Sequence, residues 1–339
     1  MGTETIILIT ILSIVFGLIV LYVLYLSLIY FTVTKKMYVR YNGHPLLKYF
    51  DATDFPGLSA EPFSFQTKNN HTLRGFIYTN ETVKDFSKVI LFFHGIGNGH
   101  LAYTKEINRL VEDNHLAVIA YDNHGSGLSE GKHIIDLSWP FVDAEYCLKY
   151  LKSEPRFESS KIFLVGHSWG GFVAGNIYHL THDERIQKAV VLNGLPSVAD
   201  VSIIYTKGSR LARRYYMLLS RIKMGRYANQ SLYESLKVEH VPTLIAHGEK
   251  DPVVPYRYLA PILPLIEKDQ TIQRFACPYH HHFVYLSLEA ERELMAMQRK
   301  LKTLKGDALL AYSKTIDYTL IGQHNDALFA AIKLFISKD

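Results

Sequence analysis

The sequence is poor in cysteine and has no strong excess of charge of either sign. Its 339 residues include two cysteines, Cys147 and Cys277, too few for the disulfide framework of a small secreted protein. Lys and Arg total 37 and Asp and Glu total 32, and the net charge of +5 is too small to predict nucleic-acid binding. Apolar residues make up 48% and charged residues 20%, which excludes a disordered chain.

One long apolar segment stands at the N-terminus. Residues 6–33 contain no Asp, Glu, Lys or Arg, and as a helix they would extend about 42 Å at about 1.5 Å per residue. A bilayer core of about 30 Å needs about 20 residues, so the segment predicts a transmembrane anchor within residues 1–35. A cleaved signal peptide fits less well, because Glu4 is the only charged residue before the segment.

The charges on either side of this segment bear on its orientation. Lys35, Lys36 and Arg40 follow it, and the positive-inside rule then predicts a cytoplasmic domain. Three sequons, which are used only in a secretory lumen, argue the other way; they begin at Asn70, Asn80 and Asn229. Since sequons also arise by chance, we favour the cytoplasm.

From about residue 60 the chain alternates short β-rich segments with helical patterns. Each β-rich segment is rich in Val, Ile, Leu and Phe, as strands buried on both faces are. A hairpin is expected at 62–67 and 72–78, with strands at 88–93, 116–121, 161–165, 188–192 and 243–246. The pattern predicts an α/β fold with a mostly parallel sheet, in one domain at 61–339 after a connector at 36–60.

A Gly-x-Ser-x-Gly motif follows one of these strands. The strand runs into Gly166-His167-Ser168-Trp169-Gly170, and a helical pattern comes next. In a strand–turn–helix context this motif presents a nucleophilic serine on a sharp turn, so Ser168 is the predicted nucleophile. A nucleophilic serine also needs a base that takes its proton. It further needs N–H donors that stabilise the oxyanion formed on the substrate.

A glycine-containing loop is the candidate for those donors. The strand at 88–93 leads into His94-Gly95-Ile96-Gly97-Asn98-Gly99. Such a loop supplies one backbone N–H, and the residue after the nucleophile supplies the other. We assign the oxyanion hole to the N–H groups of Ile96 and Trp169.

With these motifs, residues 60–335 resemble the α/β-hydrolase family of serine hydrolases. They are most similar to its membrane-anchored members, which act on lipid esters and thioesters. The resemblance implies an α/β-hydrolase fold with a helical cap, and a chain order of serine, acid, histidine. It implies that Asp251 is the acid, with Glu249 as the competitor, and that Asp122, His124 and Asp143 belong to the scaffold.

The histidine has two candidates. His324 follows a strand-like run at 317–321 and precedes an amphipathic helix, but it requires an insertion at about 266–314. The triplet His280, His281 and His282 follows a strand-like run at 271–276, and His280 lies 280 − 251 = 29 residues after the acid, close to the family's usual separation. We prefer His324 and keep the triplet as the alternative. No metal or cofactor is expected, because consecutive histidine side chains diverge.

The segment at about 194–240 is where the fold usually inserts a cap over its substrate. A helical face there is rich in apolar residues, and the same span is rich in Arg and Lys. The face carries Leu211, Tyr215, Leu218, Leu219 and Ile222. Such a helix either packs on the core or lies on anionic lipid, and the sequence leaves both open.

The sequence therefore predicts a single-pass, membrane-anchored serine hydrolase. Its expected substrate is an ester or thioester of a lipid, such as a lysophospholipid, a monoacylglycerol or an acyl-protein. An amidase, peptidase or acyltransferase would use the same triad. An inactive hydrolase fold that serves as a binding module is a further alternative.

Overall fold

The β-rich segments of the sequence form the strands of one sheet. A computed structural model describes residues 2–40, 43–97, 99–200 and 209–338. The strands are β1 (Ser59–Gln66), β2 (Thr72–Thr79), β3 (Lys88–Phe93), β4 (Ala117–Tyr121), β5 (Lys161–His167), β6 (Ile186–Leu192), β7 (Thr243–Gly248) and β8 (Ile272–Cys277). Within the described residues they pair in the order β1-β2-β4-β3-β5-β6-β7-β8. β2 is antiparallel to both neighbours and the other pairs are parallel, so the predicted fold class is confirmed.

Apart from the N-terminal helix, the helices alternate with the strands or follow them, and helices cover both faces of the sheet. They are α1 (Thr3–Met37), α2 (Thr104–Asn114), α3 (Trp139–Ser153), α4 (Trp169–Thr181), α5 (Arg210–Met224), α6 (Leu232–Val238), α7 (Leu263–Lys268), α8 (Leu288–Thr303), α9 (Gly306–Ser313) and α10 (Asp326–Ser337). Alternate residues of β3 show the two layers. Val89 and Leu91 pack with α3 and α4, whereas Ile90 and Phe92 pack with α2 and α10.

The N-terminal helix α1 is continuous through the predicted anchor. Within the described part of the chain, one helix, at Thr3–Thr32, is long and apolar enough to cross a membrane. The side chains at 6–25 are exposed, whereas Leu26 is buried. The predicted connector is packed on the domain at its start, since Tyr38 is buried and Val39 pairs with the backbone of His133.

Two predictions about the C-terminal third need correction. The expected insertion at 266–314 begins too early, because β8 is a strand of the sheet and pairs with β7 over its full length. The additional segment is the pair of helices α8 and α9. The strand-like run at 317–321 is not a strand: it leads into a 3-10 turn at Leu320–Gly322. The predicted cap at 194–240 contains α5 and α6, and its residues 201–208 lie outside the described residues.

Candidate active site

Ser168 occupies the sharp turn between β5 and α4. Its backbone angles, φ 56° and ψ −115°, lie in a region that a residue with a side chain rarely adopts. The turn requires glycine on both sides. A Cβ at Gly166 would collide with the carbonyl oxygen of Gly170, and a Cβ at Gly170 would collide with that of Phe93. The serine is thereby held at the carboxyl edge of the sheet, as the motif predicts.

Two hydrogen bonds join Ser168, His282 and Asp251 in one row. Nε2 of His282 lies 2.9 Å from Ser168 Oγ, and Nδ1 lies 2.7 Å from Asp251 Oδ2. Since a carboxylate only accepts, Nδ1 carries the hydrogen and Nε2 accepts from the serine hydroxyl. In this arrangement an imidazole can take the serine proton while the carboxylate fixes its tautomer.

Asp251 is a buried carboxylate with both oxygens engaged. Oδ1 accepts the backbone N–H groups of Val253 and Val254 at 2.7 and 2.9 Å. Oδ2 accepts the side-chain amide of Asn193 at 2.7 Å as well as His282. Burial by itself would raise the pKa of Asp251, but the interactions with His282, together with the Val254 N–H and the nearby His247, hold that pKa below its usual value. The carboxyl is therefore ionised at neutral pH.

The preference for His324 as the base is corrected by the structure. The ring of His324 packs on Phe329, and its Nε2 lies 3.5 Å from Glu106 Oε1. The position beside the serine belongs to His282, from the triplet kept as the alternative. The reason is topological: β8 is the neighbour of β7, so the loop after β8 carries 280–282 to the edge of the sheet where β5 and β7 end.

The three consecutive histidines point in different directions. His280 donates from Nε2 to the Leu286 carbonyl at 3.1 Å. His281 is partly exposed, with Nδ1 3.6 Å from Glu291 Oε2. Of the three, His282 alone reaches the serine. The divergence expected of consecutive side chains therefore selects one histidine for the site.

The glycine loop after β3 passes beside the serine. A Cβ at Gly95 would lie 3.3 Å from Ser168 Cβ. The Gly95 N–H is already bound, because it donates to Tyr103 Oη at 3.1 Å. In the part of the chain that the structure describes, neither the Ile96 N–H nor the Trp169 N–H donates to another protein group. These two N–H groups remain the proposed oxyanion donors.

A buried hydrogen-bond chain beneath the site escaped the sequence analysis. Tyr103 Oη lies 2.9 Å from His167 Nδ1, and His167 Nε2 lies 2.7 Å from the His282 carbonyl oxygen. Because a carbonyl only accepts, His167 donates from Nε2 and accepts the Tyr103 hydroxyl at Nδ1. Burial is the main cause that lowers the pKa of His167 to about 3, so its ring is neutral at neutral pH. The chain connects the glycine loop, through Gly95, to the loop of His282.

The residues that the resemblance assigned to the scaffold are buried and hold loops. Asp122 accepts both the N–H and the Nδ1–H of His100, at 2.6 and 2.7 Å. Asp143 accepts the Thr67 hydroxyl and the His124 N–H, at 2.9 and 2.8 Å. Burial raises the pKa of Asp143 to about 7. Both carboxyls thus brace the segment after β4, which lies at the same edge of the sheet as Ser168.

Known proteins resemble the chain over part of its length. The model of the alpha/beta hydrolase fold family matches residues 88–206. Protein bem46 of Schizosaccharomyces pombe is 23% identical over 198 residues, which are 58% of this chain and 62% of that protein. Inactive dipeptidyl peptidase 10 of Rattus norvegicus is 25% identical over 189 residues, 51% of this chain and 23% of that protein. The chain thus matches less than two thirds of the length of either relative.

Solved structures extend the likeness to most of the chain. An esterase of Pyrococcus furiosus superposes with a TM-score of 0.58 at 16% identity, covering 87% of this chain and 98% of that one. At such identity the likeness establishes a fold and not an activity. The chain has the α/β-hydrolase fold, preceded by one apolar helix that is a candidate membrane span, and the family resemblance carried by its motifs is confirmed.

Proposed function

We propose that the protein is a membrane-anchored serine hydrolase that cleaves carboxylic esters or thioesters. The observation that carries the proposal is the row of two hydrogen bonds, 2.9 and 2.7 Å, from Ser168 through His282 to Asp251. The positive φ at Ser168 supports the same chemistry, because an ordinary strand-to-helix turn has no need of a strained serine.

The reaction follows from the positions of five residues. Ser168 Oγ attacks the ester carbonyl while His282 Nε2 takes its proton. The oxyanion that forms is stabilised by the N–H groups of Ile96 and Trp169. Asp251 stabilises the imidazolium, which gives its proton to the leaving alcohol or thiol. Water, activated by the same imidazole, then hydrolyses the acyl-enzyme.

Ser168→Ala is expected to abolish labelling of the full-length protein by a fluorophosphonate, which reacts with activated serines. Hydrolysis of para-nitrophenyl butyrate should fall by about 10³-fold or more, because Ser168 Oγ is the hydroxyl that faces His282 Nε2 among the described residues. Ser153→Ala, at the exposed end of α3, is the matched control and should behave as wild type. A wild-type protein that is neither labelled nor active would instead support the inactive binding module.

We further propose that α1 crosses the bilayer and that its last turns dock on the domain. Residues 3–25 extend about 35 Å as a helix, enough for a hydrocarbon core of about 30 Å. Contact with the domain begins directly after them: Leu26 is buried, and Ser27 Oγ lies 2.5 Å from Tyr215 Oη of α5. This spacing supports a position of α5 at the level of the lipid head groups. Lys35, Lys36 and Arg40, which follow the apolar stretch at 6–33, favour a cytoplasmic domain.

The outward face of α5 fits an anionic lipid surface. The side chains that α5 buries are Ala212, Tyr216, Ser220 and Met224. Three residues of the apolar stripe point outward, since Leu211, Leu218 and Ile222 are 54%, 55% and 74% exposed, whereas Tyr215 contacts Ser27 of α1. Among the described residues, three exposed arginines of α5 have no ion-pair partner; they are Arg210, Arg214 and Arg221. Exposed apolar side chains between free arginines favour the lipid alternative over packing on the core.

Reversing these charges, as R210E, R214E and R221E together, should slow hydrolysis of a lipid ester in phosphatidylserine vesicles. We expect a loss of up to about a hundredfold, because each of the three arginines contributes about 1 kcal/mol of attraction to an anionic surface. Hydrolysis of soluble para-nitrophenyl butyrate should be unchanged. The matched control reverses Lys84, Lys88 and Lys161, which are exposed at or before the amino ends of β3 and β5. Equal losses on both substrates would contradict a role in lipid binding.

Esters of membrane lipids are the substrate class that this arrangement fits best. An anchored site beside an interfacial helix meets acyl chains that partition into the bilayer. Lysophospholipids, monoacylglycerols and acyl-protein thioesters share that property. A panel of these substrates, together with acyl amides and added alcohol acceptors, separates a hydrolase from an amidase or an acyltransferase by its products.

A further inference from the structure

The loop that carries His282 is held through its backbone carbonyl groups. Three of them accept hydrogen bonds from three other segments of the chain. The donors are the Lys250 N–H to His280 at 3.0 Å, the Asn193 amide to His281 at 3.0 Å and the His167 ring to His282 at 2.7 Å. A buried loop held in this way also needs acceptors for its N–H groups.

Glu291 accepts two of those N–H groups at once. It lies in the first turn of α8 and is 1% exposed. Its Oε2 accepts the His281 N–H at 2.9 Å and its Oε1 accepts the Phe283 N–H at 2.7 Å. The residue between these two is His282, whose carbonyl is bound by His167. The backbone on both sides of the imidazole is therefore clamped by one carboxylate.

The contacts of Glu291 match a carboxylate and not simply a polar side chain. Each of the two oxygens accepts one N–H group, whereas an amide would keep one oxygen and turn its NH2 group towards the other N–H. In the described part of the chain no Lys or Arg lies within 4.0 Å of Glu291, and the nearest basic atom is His281 Nδ1 at 3.6 Å. A buried carboxylate is costly unless hydrogen bonds satisfy it, and here these are the backbone N–H groups beside His282.

We propose that Glu291 is a positioning residue for the base, and that the additional helix α8 acts on the reaction through it. The proposal rests on the proposed function, since it assigns to Glu291 the placement of His282 relative to Ser168. Loss of the clamp frees the backbone at 281–283 and loosens the 2.9 Å contact between the imidazole and the serine. The change therefore affects the geometry of the reacting groups.

Glu291→Gln in the full-length protein is expected to lower kcat for para-nitrophenyl butyrate by about ten- to a hundredfold, as small misplacements of reacting groups do. KM should change little, and the rate of fluorophosphonate labelling should fall with kcat. Glu293→Gln is the matched control, since Glu293 is exposed two residues further along α8. Circular dichroism and the Tm of each variant monitor the fold.

The outcomes separate this proposal from the proposed function. An inactive, unlabelled wild type would refute the hydrolase itself. An active wild type with E291Q indistinguishable from E293Q in kcat would overturn the positioning role, as would a loss confined to Tm. Should E291Q fail to fold, Glu291→Asp keeps the charge but is one methylene shorter. The same loss of kcat at constant KM is then expected, and wild-type kcat in that variant would refute the proposal.

Discussion

Replacing His282 with alanine is expected to lower kcat/KM for a soluble ester by about 10³-fold or more, because Ser168 then has no group to take its proton. Nε2 of His282 lies 2.9 Å from the serine oxygen, and the loss should fall on kcat. Labelling by a fluorophosphonate should decline in parallel, since it depends on the same activated oxygen. Both are measured on the full-length protein in detergent.

His324→Ala is the matched control for this variant. Its ring contacts Phe329 and Glu106, and its backbone pairing with Leu286 needs no side chain. We expect kcat/KM within about threefold of wild type, because no reacting atom is touched. An active His282→Ala together with an inactive His324→Ala would reverse the assignment of the base.

The fold could be predicted because its determinants are local. The apolar run at 88–93 has the same bounds as β3, and the run at 161–165 covers most of β5. The nucleophile was predictable for the same reason, since its motif needs only a strand before it and a helix after it. Such patterns involve only residues that are close together in the chain, so they can be recognised in a single sequence.

The base could not be predicted because it depends on a competition between distant segments. The runs at 271–276 and 317–321 are both rich in β-forming residues. One side of β7 is paired with β6, and β8 pairs with the other side. The later run instead forms a turn in which Asp317 Oδ1 accepts the N–H groups of Thr319 and Leu320, both at 2.9 Å. Local β-propensity does not determine which of two such segments pairs with the edge of the sheet.

The choice within the triplet depends on the path of the loop, which is determined by residues outside the triplet. One of them left a signal in the sequence. Glu291 lies three residues before Leu294, on the apolar face that continues to Met297, and a charged residue on a buried face is the informative exception. The roles of Asn193 and Tyr103 have no comparable signal, because their partners are fixed only by the folded chain.

Asp251→Asn is expected to lower kcat by about 10³- to 10⁴-fold with little change in KM, because it reverses the tautomer of His282. Oδ1 accepts two backbone N–H groups, from Val253 and Val254, so the carbonyl oxygen of an asparagine would take that side. Its NH2 group would then face His282 Nδ1 and remove the hydrogen from that nitrogen. Nε2 would carry the hydrogen instead and could no longer accept one from the serine.

Glu249→Gln separates this effect from a general loss of acidic charge near the site. Glu249 was the competing acid in the sequence, and in the structure it is exposed and paired with Arg274 at 2.6 Å. An exposed pair of this kind contributes little, so kcat should remain within about twofold of wild type. A comparable loss in both variants would attribute the effect to acidic charge in general, whereas an Asp251→Asn protein that retains more than about a tenth of kcat would mean that Asp251 does not fix the imidazole. In Asp251→Asn the new NH2 group would also face the Asn193 amide, which donates to Asp251 Oδ2 in the wild type. Adding Asn193→Ala removes that unfavourable contact. If the tautomer of His282 alone limits the reaction, kcat of the double variant should stay low.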